Sequence, residues 1–311
     1  MGKTEGWKGV ILGFMFFTHI CVSSSDECQQ ENVRLRAQVR TLQERVATQQ
    51  ALLSQLHSQH TQVSTTDGIH IDTGGEVEYA DCTQVYNDGK RQSGLYVIKP
   101  LRSPSKITVY CDMTEGGGWT VFQRRTDGKE SFYRRWAEYK KGFGNMRSPG
   151  GEFWLGNDNL HYLTSQGDYT LRINMEDFEG NRRFAVYKSF KVADEKDGYQ
   201  LRFGEYTGTA GDSLAGSYHP EVQWWASHQG MKFSTYDKDN DRYELNCARE
   251  DKAGWWFNRC HSANLNGFYY RGPYTAVTDN GIVWYTWHGW WYSLKSVEMK
   301  VRSAHFEPNQ V

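Results

Sequence analysis

The acidic run Asp237-Lys238-Asp239-Asn240-Asp241 is the stretch of this chain best suited to chemistry. Alternate carboxylates offer the hard oxygen ligands that Ca²⁺ takes. Spacing alone leaves two readings open, a calcium loop and a solvated turn. It is not an EF-hand, because the sixth loop position is Arg242 rather than Gly and the twelfth is Ala248 rather than Glu. Catalytic arrangements are otherwise missing from the sequence. There is no H-E-x-x-H pair, no G-x-S-x-G elbow, no phosphate loop and no dinucleotide fingerprint. Gly211-Asp212-Ser213 is the triplet that carries the serine of trypsin-like proteases, but Leu214-Ala215 follow where those enzymes keep glycines. The histidines are scattered, with His57 and His60 in a helical stretch. These patterns argue against an enzyme.

Six cysteines are present: Cys21, Cys28, Cys82, Cys111, Cys247 and Cys260. Cys21 belongs to a leader described below, so five remain and one is left over. The spacings suggest two local loops, Cys82 to Cys111 and Cys247 to Cys260, although sequence alone leaves the connectivity open. Each closure would contribute roughly 3 kcal/mol. Cys28 is isolated by more than fifty residues, and a lone thiol in an oxidising compartment suggests an intermolecular bond.

The elements that must position these groups follow from composition. A chain of 311 residues allows two domains, or one large domain with an appendage. Formal charge is −1, which lacks the electrostatic footprint of a nucleic-acid binder. Aromatic residues make up 15% and there are 31 glycines, so a turn-rich globule with an aromatic core is expected. Lys3 and Lys8 precede the apolar run Val10 to Ile20, and Ser23-Ser24-Ser25 follow. That order is a secretory signal peptide, about residues 1–24, and the run is too short to span a bilayer. No other stretch crosses a membrane, so the mature chain is expected to be secreted, without membrane insertion.

Residues 26–63 contain no Gly, Pro or aromatic. Asn32, Val39, Val46, Leu53 and His60 fall at heptad a, and Cys28, Leu35, Leu42, Gln49, Leu56 and Val63 at d. Sustained a/d spacing argues coiled coil, and Val at a with Leu at d favours two parallel strands. Cys28 on this seam would face its own copy, so a disulfide-linked homodimer or higher homo-oligomer is expected. The alternative is a single amphipathic helix packed on its own domain. About 36 residues would give a stalk of roughly 54 Å. Residues 64–78, rich in Thr, Asp and Gly, read as a linker.

Residues 79–306 form one block, read as α+β with an antiparallel sheet. Strands are expected at 107–111, 119–124, 169–175, 184–190, 199–203 and 297–301, with a brief helix at 156–163. From 204 to 291 turns dominate, which suggests an irregular subdomain. The aromatic run from Trp284 to Trp291 is read as core.

The head resembles the fibrinogen C-terminal domain family. The matching pieces are Gly116-Gly117-Gly118-Trp119-Thr120-Val121, Phe153-Trp154-Leu155-Gly156-Asn157, and Cys247 through Trp255-Trp256-Phe257-Asn258-Arg259-Cys260-His261. Asn264-Leu265-Asn266-Gly267 and Gly281-Ile282-Val283-Trp284-Tyr285-Thr286-Trp287 complete a match to nearly all of 79–303. The resemblance implies bridges Cys82–Cys111 and Cys247–Cys260. It implies structural Ca²⁺ on the carboxylates of Asp239 and Asp241 and the carbonyls of Tyr243 and Leu245. Leu245 departs from the Gly that relatives often carry; were that backbone to need φ > 0, a bulky residue would be strained there. The family's binding pocket maps to Glu250, Asp251, Arg259, His261 and Asp279, with Trp290 where clotting relatives have Arg. The acids would attract a cationic peptide end, or some of these residues merely satisfy turns. A cis Arg259–Cys260 peptide is also implied.

The thrombin-cleaved peptide and the long three-chain stalk of the clotting members are lacking, so clot polymerisation is not expected. Given the short stalk, odd Cys28 and single head, the resemblance implies a liver-derived signalling ligand. It would stimulate hepatocyte growth through a hepatocyte receptor and engage an inhibitory immunoglobulin-type T-cell receptor, lymphocyte-activation gene 3. The alternative is an innate-immune lectin that binds acetylated glycans through the same pocket.

Overall fold

The computed structural model describes residues 34, 36–45, 48, 77–216 and 220–306. The chain divides into two units, Met1–Gly75 and Glu76–Val311. In the first unit the described residues are helical, and Val39 and Leu42 are 53% and 59% exposed. The signal segment, Cys28, the other seam positions and residues 64–76 of the linker lie outside the described residues.

In the second unit the strands in chain order are β1 (Gly94–Ile98), β2 (Ile107–Asp112), β3 (Trp119–Arg125), β4 (Phe143–Gly144), β5 (Phe153–Trp154), β6 (Tyr169–Glu176), β7 (Arg182–Tyr187), β8 (Lys191–Val192), β9 (Leu201–Arg202) and β10 (Tyr206–Gly208). They continue with β11 (Ala263–Asn264), β12 (Gly272–Pro273), β13 (Val283–Trp284), β14 (Tyr292–Ser293) and β15 (Ser296–Ser303). Nine of them form one antiparallel sheet in the order β1-β2-β3-β15-β6-β7-β10, with β4 and β5 branching from β3. The last strand therefore lies near the middle, with Val301 opposite Leu171, Met299 opposite Ile173 and Val297 opposite Met175.

The alternation of β6 produces this packing. Tyr169, Leu171, Ile173 and Met175 point to the core, while Arg172 and Asn174 face outward onto Glu115. The helix expected at 156–163 spans Asn157–Ser165 and buries Leu160 and Leu163. The strands expected at 184–190 and 199–203 are Arg182–Tyr187 and the shorter Leu201–Arg202. β1, the apolar run Leu95-Tyr96-Val97-Ile98, lies outside the expected strands; Leu95 and Val97 are exposed while Ile98 is buried.

All seven residues of β3 are buried, because the irregular subdomain covers one face. Gln123 Nε2 donates to Leu265 O (3.0 Å) and to Asn266 Oδ1 (3.1 Å). Arg125 donates to Gly267 O (2.8 Å) and meets Glu152 at 3.4 Å, both side chains almost fully enclosed. The Glu152 carboxylate also accepts from the backbone N–H of Thr126 and of Glu130, each at 2.9 Å. Gly267 is required at this junction, since a Cβ there would stand 2.0 Å from the Gly281 carbonyl. Rings fill the space between subdomain and sheet: Phe233 lies 5.2 Å from Trp256 and 5.9 Å from Trp154. Offset and edge-on ring pairs of this kind add about 0.5–1.5 kcal/mol beyond the area they bury. The run from Trp284 to Trp291 is only partly core. Trp284 is fully buried, but Tyr285 to Trp290 are half-buried and Trp291 is exposed. The turn at Gly289 lifts the end of the run out of the core.

Candidate functional site

The acidic run and the pocket residues are joined through one disulfide. Cys247 and Cys260 are bridged with Cα atoms 5.5 Å apart, closing the ring that starts just after the acidic loop and ends beside His261. Cys82 and Cys111 form the second bridge, with Cα atoms 5.4 Å apart, tying the Cys82–Asn87 helix to β2. Cys247 opens a short helix, Cys247–Glu250, whose N-cap Asn246 accepts from Arg249 N at 2.9 Å.

Within the acidic loop, Asp239 accepts from Asp241 N at 3.1 Å. Asp241 accepts from Tyr243 N and from Cys247 N, both at 2.9 Å. Burial, and then the adjacent Asp239, raise the Asp241 carboxyl to about 7. Two carboxylates crowded in this way are what a cation relieves. The carbonyls of Tyr243 and Leu245 accept no hydrogen bond from the described residues. These four oxygens are of the hard type that Ca²⁺ takes, and water would have to supply the rest of its six to eight ligands. Leu245 is 61% exposed and is not among the positive-φ residues. A side chain at that position therefore carries no left-handed backbone strain.

Asp251, His261 and Asp279 converge beside this loop. His261 Nε2 lies 3.6 Å from Asp251 Oδ2 and 3.5 Å from Asp279 Oδ2. The side chains of His261 and Asp251 are almost fully enclosed, whereas that of Asp279 is 34% exposed and forms the mouth. Asp251 Oδ2 and both ring nitrogens of His261 are buried without a hydrogen-bond partner. Burial, followed by the charges of Asp279 and Glu250, raises the Asp251 carboxyl well above the usual range. Burial lowers the His261 imidazole, with Asp279 pulling the other way. Glu250 sits at the rim and its carbonyl accepts from Thr278 at 2.9 Å. Arg259 turns away, pairing with Glu244 at 2.7 Å. The Arg259–Cys260 peptide is cis.

Two more residues complete the surroundings: Trp290, placed at the pocket by the family resemblance, and His228, which had no sequence signal. Trp290 donates to His261 O at 3.3 Å, packs on Tyr285 at 3.9 Å and stacks on Trp225 at 6.3 Å, walling one side of the pocket. His228 supports the chain behind it. Its Nδ1 meets Trp256 O at 2.7 Å, and Nε2 meets the amides of Ser262 (3.3 Å) and Ala263 (3.1 Å). A carbonyl only accepts and an amide N–H only donates, so the ring is neutral with its proton on Nδ1.

The fold and site define a class. Residues 78–304 match the fibrinogen beta and gamma chains, C-terminal globular domain, and the chain belongs to that family. Among individual proteins it is similar to Fibrinogen-like protein 1 of Bos taurus, 63% identical over 292 residues that cover 93% of this chain and 94% of the relative. The Homo sapiens Fibrinogen-like protein 1 is 62% identical over 294 residues, with 93% and 94% covered. Among solved structures, a lamprey fibrin D-dimer complexed with the peptide Gly-His-Arg-Pro-amide is 36% identical with a TM-score of 0.71, over 94% of this chain and 95% of that one.

Proposed function

We propose that this fibrinogen-like ligand is secreted, non-enzymatic and multivalent. It stimulates hepatocyte growth and engages an inhibitory immunoglobulin-type receptor on T cells, lymphocyte-activation gene 3. The observation that carries a recognition role is the pocket of Asp251, His261 and Asp279, which gathers carboxylates around buried polar atoms that lack partners. Such atoms are costly to leave unmet, and a cationic group from a partner would meet them. The similar lamprey structure holds a peptide with cationic residues. Ca²⁺ on Asp239, Asp241 and the carbonyls of Tyr243 and Leu245 would stiffen the loop that flanks the pocket. Cys28 would link two stalks, and two heads on one stalk raise avidity by about 10²–10⁴-fold.

Binding of the oxidised full chain to receptor-bearing and receptor-free cells tests this reading. Receptor-dependent binding that falls by at least about 10²-fold in Cys28→Ser is expected; equal binding to both cell types overturns it. A second reading, an acetylated-glycan lectin, is favoured by the aromatic wall of Trp225, Tyr285 and Trp290. Retention of acetylated glycans on an array, lost in His261→Ala, would support it instead.

A further inference from the structure

We propose that Asp251, His261 and Asp279 form a binding site for a four-coordinate transition-metal ion, Zn²⁺ by ligand type. The argument begins with separations. His261 Nε2 lies 3.6 Å and 3.5 Å from the two carboxylate oxygens, too far for hydrogen bonds. Two donors held at about 2.1 Å from one ion at a tetrahedral angle stand about 3.4 Å apart, which is the spacing found here. All three donor atoms lie within 4.8 Å of one another, so small side-chain rotations complete the triangle.

The same spacing leaves buried polar atoms unmet. His261 Nδ1 and Nε2 and Asp251 Oδ2 are buried with no hydrogen-bond partner among the described residues. Buried polar atoms are rarely left in that condition. The other His-carboxylate grouping among the described residues of the head, Asp177, Glu179 and His288, differs in this respect. There Asp177 accepts from Asn181 and from His288, and Glu179 accepts from Tyr292, so its groups are already satisfied.

The donor chemistry selects the ion. One imidazole nitrogen and two carboxylate oxygens suit Zn²⁺ and its first-row neighbours rather than Ca²⁺, which takes six to eight oxygens. Three protein ligands leave one position open at the mouth formed by Asp279. An ion here would draw on the same carboxylates as a cationic peptide end, so the two ligands exclude one another. The site does not depend on the receptor assignment above, and either can fail alone.

The test uses the intact oxidised chain, freed of transition metal and held in excess Ca²⁺ so that the acidic loop is occupied. Co²⁺ is titrated while visible absorption is followed, and Zn²⁺ is then added to displace it. The expected result is one Co²⁺ per head with a four-coordinate spectrum, bleached by Zn²⁺. His261→Gln and Asp279→Asn should each weaken binding by at least about 10-fold. Asp279 lies at the mouth, so its variant serves if His261→Gln fails to fold. Absence of binding, or binding of unchanged strength in any folded variant, overturns the site.

Discussion

His228 should make the stability of the head depend on pH in a way that can be isolated. Burial depresses its imidazole to about 3, against about 6.5 for a histidine in an unfolded chain. Because the folded value is the lower one, the unfolded chain takes up the proton first. The stabilising contribution is complete above pH 6.5 and is lost progressively as the pH falls toward 3. Between pH 7 and pH 5 this single residue should remove about 2 kcal/mol. Urea unfolding at both pH values, with disulfides intact and Ca²⁺ in excess, measures the loss. His228→Gln carries the same remaining titratable groups, so those groups cancel in the comparison. The variant should be less stable at pH 7 yet lose about 2 kcal/mol less than the parent on acidification. Equal losses in the two proteins would refute the reasoning. So would a His228 ring whose NMR shifts titrate between pH 7 and pH 5 in the folded state.

Three further outcomes are expected. Glu152→Gln removes the countercharge of the enclosed Arg125 and should destabilise the head by about 3–5 kcal/mol, a fall in Tm of at least about 6 °C; a fall within about 3 °C contradicts the pairing. Calcium at about 100 times its Kd should stabilise the head by about 2.7 kcal/mol, and Asp241→Asn should abolish the difference between calcium and chelator; an identical Tm in both buffers removes the loop as a calcium site. Cys28→Ser should eliminate the dimer band on non-reducing electrophoresis, and an unchanged band assigns the linkage elsewhere.

Strand positions were readable where one face of the sheet meets the core. Tyr169 to Met175 alternate in sequence as they do in burial, and 107–111, 119–124 and 297–301 fall within β2, β3 and β15. β3 is legible from its β-rich composition alone, since burial on both faces leaves it no alternation, whereas β1, a short apolar run at one edge of the sheet, lies outside the expected strands. The disulfide partners and the acids of the pocket came from the family resemblance. Spacing could not supply the meeting of Asp251, His261 and Asp279, because these residues come from separate turns that the disulfide and the tertiary fold bring together. The charges inside the protein left no local mark either. Arg125 and Lys300 look like ordinary surface cations in sequence, yet each is sealed in against carboxylates from elsewhere in the chain. The same holds for His228, whose partners lie 28 to 35 residues downstream.

The placement of β15 between β3 and β6 has a consequence for biogenesis. Of the strands in this sheet, the one synthesised last is the one that joins its two halves. Until Ser296 to Ser303 emerge, both neighbours present bare edges able to pair with the wrong chain. Maturation of the head must therefore wait for this strand, and a transcript cut short by even a few codons before it should yield material held back by quality control rather than a smaller working product.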